Sequence, residues 1–185
     1  MQAIILAAGL AKRLRPLTDT TPKCLLTIGG KTLLEMTINN ILKNGINEFI
    51  IVTGYRESMI KDFIGQKYSG LSIGYLTNSD YENNNNSYSL WMTKEYVTGD
   101  SLLLDSDILF DKRILELLLN SDYSNCLALR SDHHLSDEEI KVWLNSDRSI
   151  AEISKSVDLK HAVGESIGIE KFGAKKKKKL FEILD

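Results

Sequence analysis

Apolar residues follow two rhythms along this chain. Residues 2–8 form a short continuous apolar run that ends at Gly9, the pattern of a strand buried on both faces. Residues 32–44 instead carry Leu33, Leu34, Met36, Ile38, Ile41 and Leu42 at close to helical spacing. Thr32 is placed to cap that helix, with Glu35 three residues on and Gly45 as its stop. Phe49 to Gly54 reads as a second buried strand, residues 58–64 as a short helix, and Leu71 to Thr77 as a loosely alternating strand. Leu102 to Asp105 is a third buried strand, residues 111–119 a Leu-rich helix, and Cys126 to Leu129 a further strand. The pattern then changes. Ile140–Leu144 and Ile150–Ile153 are short alternating strands around the turn-like Asn145-Ser146-Asp147, a hairpin signal. Strands and helices alternate up to about residue 130, which predicts an α/β fold: a mostly parallel sheet with helices on both faces, plus a small antiparallel hairpin.

Length adds one constraint: 185 residues fit one domain, or one with a small subdomain. Residues 1–185 are therefore read as a single unit, with a nucleotide-binding half over about 1–110 and an acceptor-binding half over about 111–185. The net charge of −2 argues against a duplex nucleic-acid binder. Two cysteines, Cys24 and Cys126, exclude a disulfide scaffold and a cysteine-rich zinc module, and both read as buried thiols. The first apolar run lacks a basic segment before it and is followed at once by Lys and Arg, so it is not read as an export signal. No stretch approaches the ~18 apolar residues of a membrane span. A cytoplasmic protein is expected.

The first strand runs directly into Gly9-Leu10-Ala11-Lys12-Arg13-Leu14-Arg15-Pro16-Leu17-Thr18, then Thr21-Pro22-Lys23. In an open α/β sheet, ligands bind beyond the carboxyl ends of the strands. A small residue there lets backbone N–H groups approach a polyphosphate. Arg13 can grip phosphate oxygens bidentately and Lys23 can add a point charge. Leu6, Ala7, Ala8, Gly9, Arg13, Pro16, Thr18, Pro22 and Lys23 together resemble the signature of the nucleotidyltransferases that activate sugar phosphates and alcohol phosphates. The fold this resemblance implies is the Rossmann-like, three-layer nucleotide-diphospho-sugar transferase type. That family usually has a second glycine where this chain has Ala11. Alanine is disfavoured at positive φ, so the loop is expected to be set slightly differently. The resemblance implies nucleotide contacts along Leu6, Ala7, Ala8, Gly9, Leu10, Ala11, Lys12 and Arg13, and at Lys23.

Asp105 and Asp107 leave the third buried strand two residues apart, so their side chains can share a face. The plain alternative is helix capping or a turn before 111–119. In the resembled family a metal-binding aspartate follows a central strand. That implies Asp107 as the Mg²⁺ ligand, with Asp105 as a weaker second candidate on the nucleotide side. Mg²⁺ suits such work because it takes oxygen ligands and bridges phosphates. A phosphate monoester would attack the α-phosphorus of a nucleoside triphosphate and release pyrophosphate. Arg13, Lys23 and Asp107 would supply alignment and charge neutralisation. His133, His134 and His161 lack metal-ligand spacing and read as surface residues.

Asn83-Asn84-Asn85-Asn86-Ser87-Tyr88-Ser89-Leu90-Trp91 stands where sugar-phosphate members usually carry a Gly-Thr-Ala-Gly-type segment. This string, with Asp105-Ser106-Asp107 and Gly164–Ile169, resembles bacterial CTP:phosphocholine cytidylyltransferases. The resemblance implies CTP as donor, with Ser89 reading the base, unless Ser89 is only a helix-start cap. It implies phosphocholine or a similar phosphomonoester as acceptor. A quaternary ammonium is held by aromatic faces and carboxylates, which makes Tyr81, Tyr88, Trp91, Trp143 and Glu165 candidates; each aromatic alone also fits a core or surface position. Asn83–Asn86 reads as a polar loop, and Lys175–Lys179 as the solvated face of a terminal helix. The competing readings are a sugar-1-phosphate nucleotidyltransferase and a nucleotide-binding domain without turnover. In the resembled family a second metal-binding aspartate follows a further helix, and no position here matches it. The chain is therefore expected to be truncated or to lack that ligand. No nucleic-acid or membrane partner is expected, and a homodimer is allowed but not required.

Overall fold

A computed structural model describes residues 1–132 and 134–185; the surface reading of His133 lies outside the described residues. The elements in chain order are β1 (Gln2–Ala7), β2 (Thr27–Ile28), β3 (Lys31–Thr32), α1 (Leu33–Lys43), β4 (Glu48–Thr53), α2 (Glu57–Lys67) and β5 (Ser72–Thr77). There follow α3 (Asn86–Trp91), β6 (Ser101–Asp105), α4 (Lys112–Leu119), β7 (Cys126–Arg130), β8 (Lys141–Leu144), β9 (Ile150–Ser154), β10 (Ala162–Phe172) and α5 (Lys177–Leu184). Among the described residues, one eight-stranded sheet has the order β5-β4-β1-β6-β10-β8-β9, with β7 paired to β10; β2 and β3 form a separate ribbon.

The pairings β5–β4, β4–β1 and β1–β6 are parallel, and β10 runs antiparallel to β6, β7 and β8. Strands β7 and β8 therefore point the same way as the parallel core, and only β10 and β9 oppose it. The sheet is mostly parallel in direction, as the alternating pattern predicts. Its unpredicted member is β10, which lies between β6 and β7 and displaces β7 from the core.

Successive strand side chains face opposite ways, and β1 shows it. Ala3, Ile5 and Ala7 pack with Leu34, Ile38 and Ile41 of α1, Ile60 and Ile64 of α2, and Leu115 and Leu118 of α4. Ile4 and Leu6 pack on the other side with Leu90 of α3 and Phe181 of α5. Those are the two faces of a three-layer α/β fold. Helix α1 begins as expected: Thr32 accepts from the Glu35 amide at 3.1 Å. The Glu35 carboxylate pairs with Lys67 at 2.7 Å instead of returning to the cap.

The terminal helix seats on α3. Trp91 Nε1 donates to Asp185 Oδ1 at 2.5 Å, and Lys94 Nζ lies 2.7 Å from Asp185 Oδ2. Lys175, Lys176, Lys178 and Lys179 are exposed as expected. Lys177 departs from that reading: it is half-buried, and its ammonium donates to the Val97 carbonyl. No described helix is long and apolar enough to cross a membrane.

Candidate active site

The carboxyl ends of β1 and β6 open into a cavity of about 380 Å³. From the first loop, Leu6, Ala7, Gly9, Ala11, Lys12, Arg13 and Lys23 line it, and Asp105 and Asp107 face them from the exit of β6. Ala8 and Leu10 do not line it. Ala8 is buried, and its carbonyl accepts from the Tyr55 amide at 3.0 Å. A Cβ on Gly9 would meet nothing within 4 Å, so glycine there leaves room rather than relieving strain. Ala11 adopts φ 48°, ψ 48°, the left-handed conformation that glycine takes without cost. The buried Thr18 hydroxyl donates to the Ala11 carbonyl at 3.0 Å and closes the loop over that turn. Tyr55 Oη donates to the Thr18 and Asp19 carbonyls at 2.9 and 2.7 Å, which pins the loop to the end of β4.

Lys23 and Asp107 are in direct contact, with Nζ 2.5 Å from Oδ2. Asp105 is held by a residue that sequence reasoning did not single out: Asn86 Nδ2 donates to Asp105 Oδ1 at 2.9 Å. Burial, and then the charge of Asp107, push the Asp105 carboxyl up to about 6, against the pull of Lys23. Burial and Asp107 also push the Cys24 thiol up to about 12. Cys24 is buried as predicted, whereas Cys126 is only half-buried. Capping of α4 falls to Asp111, whose side chain accepts from the Arg113 amide at 2.9 Å. Asp105 and Asp107 are thus not the capping residues of that helix. Among the described residues no group of three or more His, Cys, Asp or Glu is arranged to hold a metal. The pair Asp105 and Asp107 offers oxygen donors only, of the kind Mg²⁺ takes beside phosphate oxygens.

Asn83–Asn85 form a polar loop as expected and Asn86 opens α3, and each of the four side chains has a separate task. Asn83 donates to Asp80 at 2.5 Å, and Asn84 exchanges hydrogen bonds with the buried Asn78. Asn85 caps α3 by accepting from the Ser87 and Tyr88 amides, and Asn86 reaches Asp105. Short amides satisfy local backbone and neighbouring side chains in this way. Ser89 departs from its expected position. It is 3% exposed, accepts from Asn78 Nδ2 at 3.0 Å and does not line the cavity. Nor does it cap α3, since Asn85 does.

The predicted aromatics do not converge. Tyr88 and Trp91 do share one side of α3, stacked with centroids 5.5 Å apart, but Trp91 points to Asp185. Tyr81 meets Tyr55 edge to face at 6.2 Å. Trp143 stacks on the exposed His161 at 5.0 Å. Glu165 alone of the acceptor set lines a second, wider groove of about 850 Å³, with Phe110, Ile167, Arg130 and Asp132. Asp105 lines both hollows.

Gly168 closes this junction. Its φ is +72°, and a Cβ there would stand 2.5 Å from Asp105 Oδ2. Two residues on, burial and the Asp105 charge push the Glu170 carboxyl up to about 7, against a hydrogen bond from Ser166. The folded chain therefore holds a proton on Glu170 between its ordinary value of 4.5 and about 7, where the unfolded chain does not. Stability from this group is lost as pH rises through that window and is flat above it. Glu170→Gln is expected to stabilise the fold by up to about 3 kcal/mol at pH 8 and by almost nothing at pH 4. Thermal melts of both proteins across pH 4–8 check this; an equal midpoint difference at every pH would contradict it.

The profile of the family described as nucleotidyl transferase matches residues 2–126. The choline-phosphate cytidylyltransferase of Streptococcus pneumoniae is 40% identical over 124 residues, 66% of this chain and 52% of that protein. The solved structure of CTP:phosphocholine cytidylyltransferase from S. pneumoniae superposes with a TM-score of 0.76 and 31% identity, over 100% of this chain and 75% of that one. The inositol-1-phosphate CTP transferase from T. maritima superposes with a TM-score of 0.80 and 25% identity, over 96% of this chain and 72% of that one. The CMP-5'-(3-aminopropyl)phosphonate synthase of Streptomyces rubellomurinus is 30% identical over 128 residues, 69% of this chain and 20% of that protein. The chain thus spans about half, or less, of the length of these two curated relatives.

Proposed function

The chain belongs to the nucleotidyl transferase family, and on that premise we propose that it transfers CMP from CTP to phosphocholine. An oxygen of the phosphocholine phosphate forms a bond to the α-phosphorus, the bond from that phosphorus to the bridging β-oxygen breaks, and CDP-choline and pyrophosphate result. The observation that carries this reading is the position of Asp105, on the shared wall of the cavity and the groove. A donor in one and an acceptor in the other would meet beside it.

The division of labour follows from the residues. Backbone amides near Gly9–Lys12, with Arg13 and Lys23, bind the triphosphate. Asp107, seconded by Asp105, holds Mg²⁺, which when bound offsets the charge of the phosphates. Asn86 fixes the Asp105 carboxylate at 2.9 Å, and the shape of the two hollows aligns the partners. Ile108, Leu109, Phe110 and Ile167 give the groove an apolar wall; its charged residues are Asp105, Asp132 and Glu165, with Arg130 paired to Asp132 at 2.6 Å. An apolar onium head group suits such a lining, with Phe110 as the aromatic face and Glu165 as the counter-charge. Tyr81, Tyr88, Trp91 and Trp143 lie outside it, so of the expected acceptor residues this reading keeps Glu165 and adds Phe110.

Glu165→Gln should accordingly raise the phosphocholine KM at least tenfold, about 1.4 kcal/mol, while the CTP KM stays within twofold. An unchanged phosphocholine KM would remove Glu165 from the acceptor site. The reading as a whole is tested by pyrophosphate release over the four ribonucleoside triphosphates, each paired with phosphocholine, phosphoethanolamine, an aminoalkylphosphonate, inositol 1-phosphate and glucose 1-phosphate. CTP with phosphocholine is expected to lead. A better rate with a sugar or polyol phosphate would overturn the choline assignment, and indifference to the base would overturn the cytosine assignment.

A further inference from the structure

We infer that Lys23 makes the cavity select a metal–nucleotide complex over free metal, by standing in for the cation at Asp107 until triphosphate oxygens draw it away. This rests on the phosphate and metal roles proposed above. Each cation assigned to the phosphates is already held by a carboxylate: Lys23 by Asp107 at 2.5 Å, and Arg13 by Glu138 at 3.5 Å. The two pairs differ in kind. The Arg13 and Glu138 side chains are 85% and 74% exposed, so water and salt screen them and the guanidinium leaves easily. The Lys23 and Asp107 side chains are 35% and 32% exposed, so this pair is screened less than the first.

The consequence is an asymmetry between ligands. A divalent ion arriving alone at Asp107 must expel the ammonium from that carboxylate and leave it beside a like charge. When the ion arrives with a triphosphate, Lys23 exchanges one anionic partner for another and stays paired. Asp105 is an imperfect alternative partner, since Asn86 already donates to its carboxylate at 2.9 Å. Lys23 therefore has two effects of opposite sign: it opposes free metal and supports nucleotide.

That sign difference is what an experiment reads. Mn²⁺ alone, with no nucleotide or acceptor present, is titrated calorimetrically into the wild type, Lys23→Met, Lys23→Gln, Asp107→Asn and the double variant Lys23→Met/Asp107→Asn. Circular dichroism establishes that each is folded. Both Lys23 variants are expected to bind Mn²⁺ at least tenfold more tightly than the wild type, and to bind CTP in the presence of Mn²⁺ at least tenfold more weakly. The gain for Mn²⁺ should vanish when Asp107→Asn is added. Mn²⁺ affinity that is unchanged or lower in both folded Lys23 variants would overturn the inference, as would a gain that survives loss of Asp107. Since the first titration contains neither CTP nor phosphocholine, its outcome is independent of which acceptor the enzyme uses; turnover assays judge that reading separately.

Discussion

Asp107→Asn is expected to lower turnover at least a thousandfold, about 4 kcal/mol of transition-state stabilisation, and to leave the fold intact. The carboxylate stands at the cavity wall, its side chain about one third exposed, in contact with Lys23. Asparagine keeps the size of the side chain and loses the charge that a divalent ion and Lys23 both answer. The partly exposed ion pair contributes about 1 kcal/mol or less to folding, and the cap of α4 is Asp111, so little structural support is removed. Steady-state turnover and a thermal melt on the same sample separate the two. A large fall in melting temperature would make Asp107 a structural residue, and retained activity would place the metal elsewhere.

The second large effect falls on a residue that touches no substrate in this account. Gly168→Ala should lower kcat/KM by about a hundredfold, close to 2.7 kcal/mol, with a smaller loss of stability. Two physical terms add here. The backbone at φ +72° is strained for any residue with a Cβ, at about 1–2 kcal/mol. The new methyl would also lie 2.5 Å from Asp105 Oδ2, so the carboxylate must swing out of the junction between cavity and groove. Gly29→Ala is the matched control. Its φ is +58° and nothing lies within 4 Å of a Cβ there, so it should cost comparable stability and leave turnover unchanged. If both variants lose stability and neither loses activity, the position of Asp105 is not functional.

The legible parts of this molecule are those fixed by local chemistry. Residues 2–8 read as a strand buried on both faces, which β1 is over Gln2–Ala7, and Thr32 with Glu35 marks the start of α1. The first loop was legible as a spaced motif; alanine at position 11 pointed to a loop set differently, yet Ala11 takes the left-handed conformation open to glycine. Strand β10 was not legible. Gly164–Ile169 stood out only as part of the resemblance, and its two glycines mark close approaches, Gly164 to the Arg130 carbonyl and Gly168 to Asp105. The partners of side chains were legible least. Four successive asparagines look alike in sequence, and only the meeting of α3 with β6 separates Asn86, which holds Asp105, from Asn85, which caps a helix. Large aromatics are easy to count as an onium pocket, but Trp91 is drawn to Asp185 and Trp143 to His161 by contacts distant in the chain.

The most direct test of the central claim follows the phosphorus itself. CTP and phosphocholine are incubated with the protein and Mg²⁺, and the products are followed by ³¹P NMR. The proposed chemistry predicts that the phosphocholine monoester signal declines as a pair of coupled diphosphate doublets from CDP-choline grows, with one pyrophosphate formed per diphosphate ester. Pyrophosphate appearing with CMP while the phosphocholine signal stays constant, or no loss of CTP at all, would contradict it.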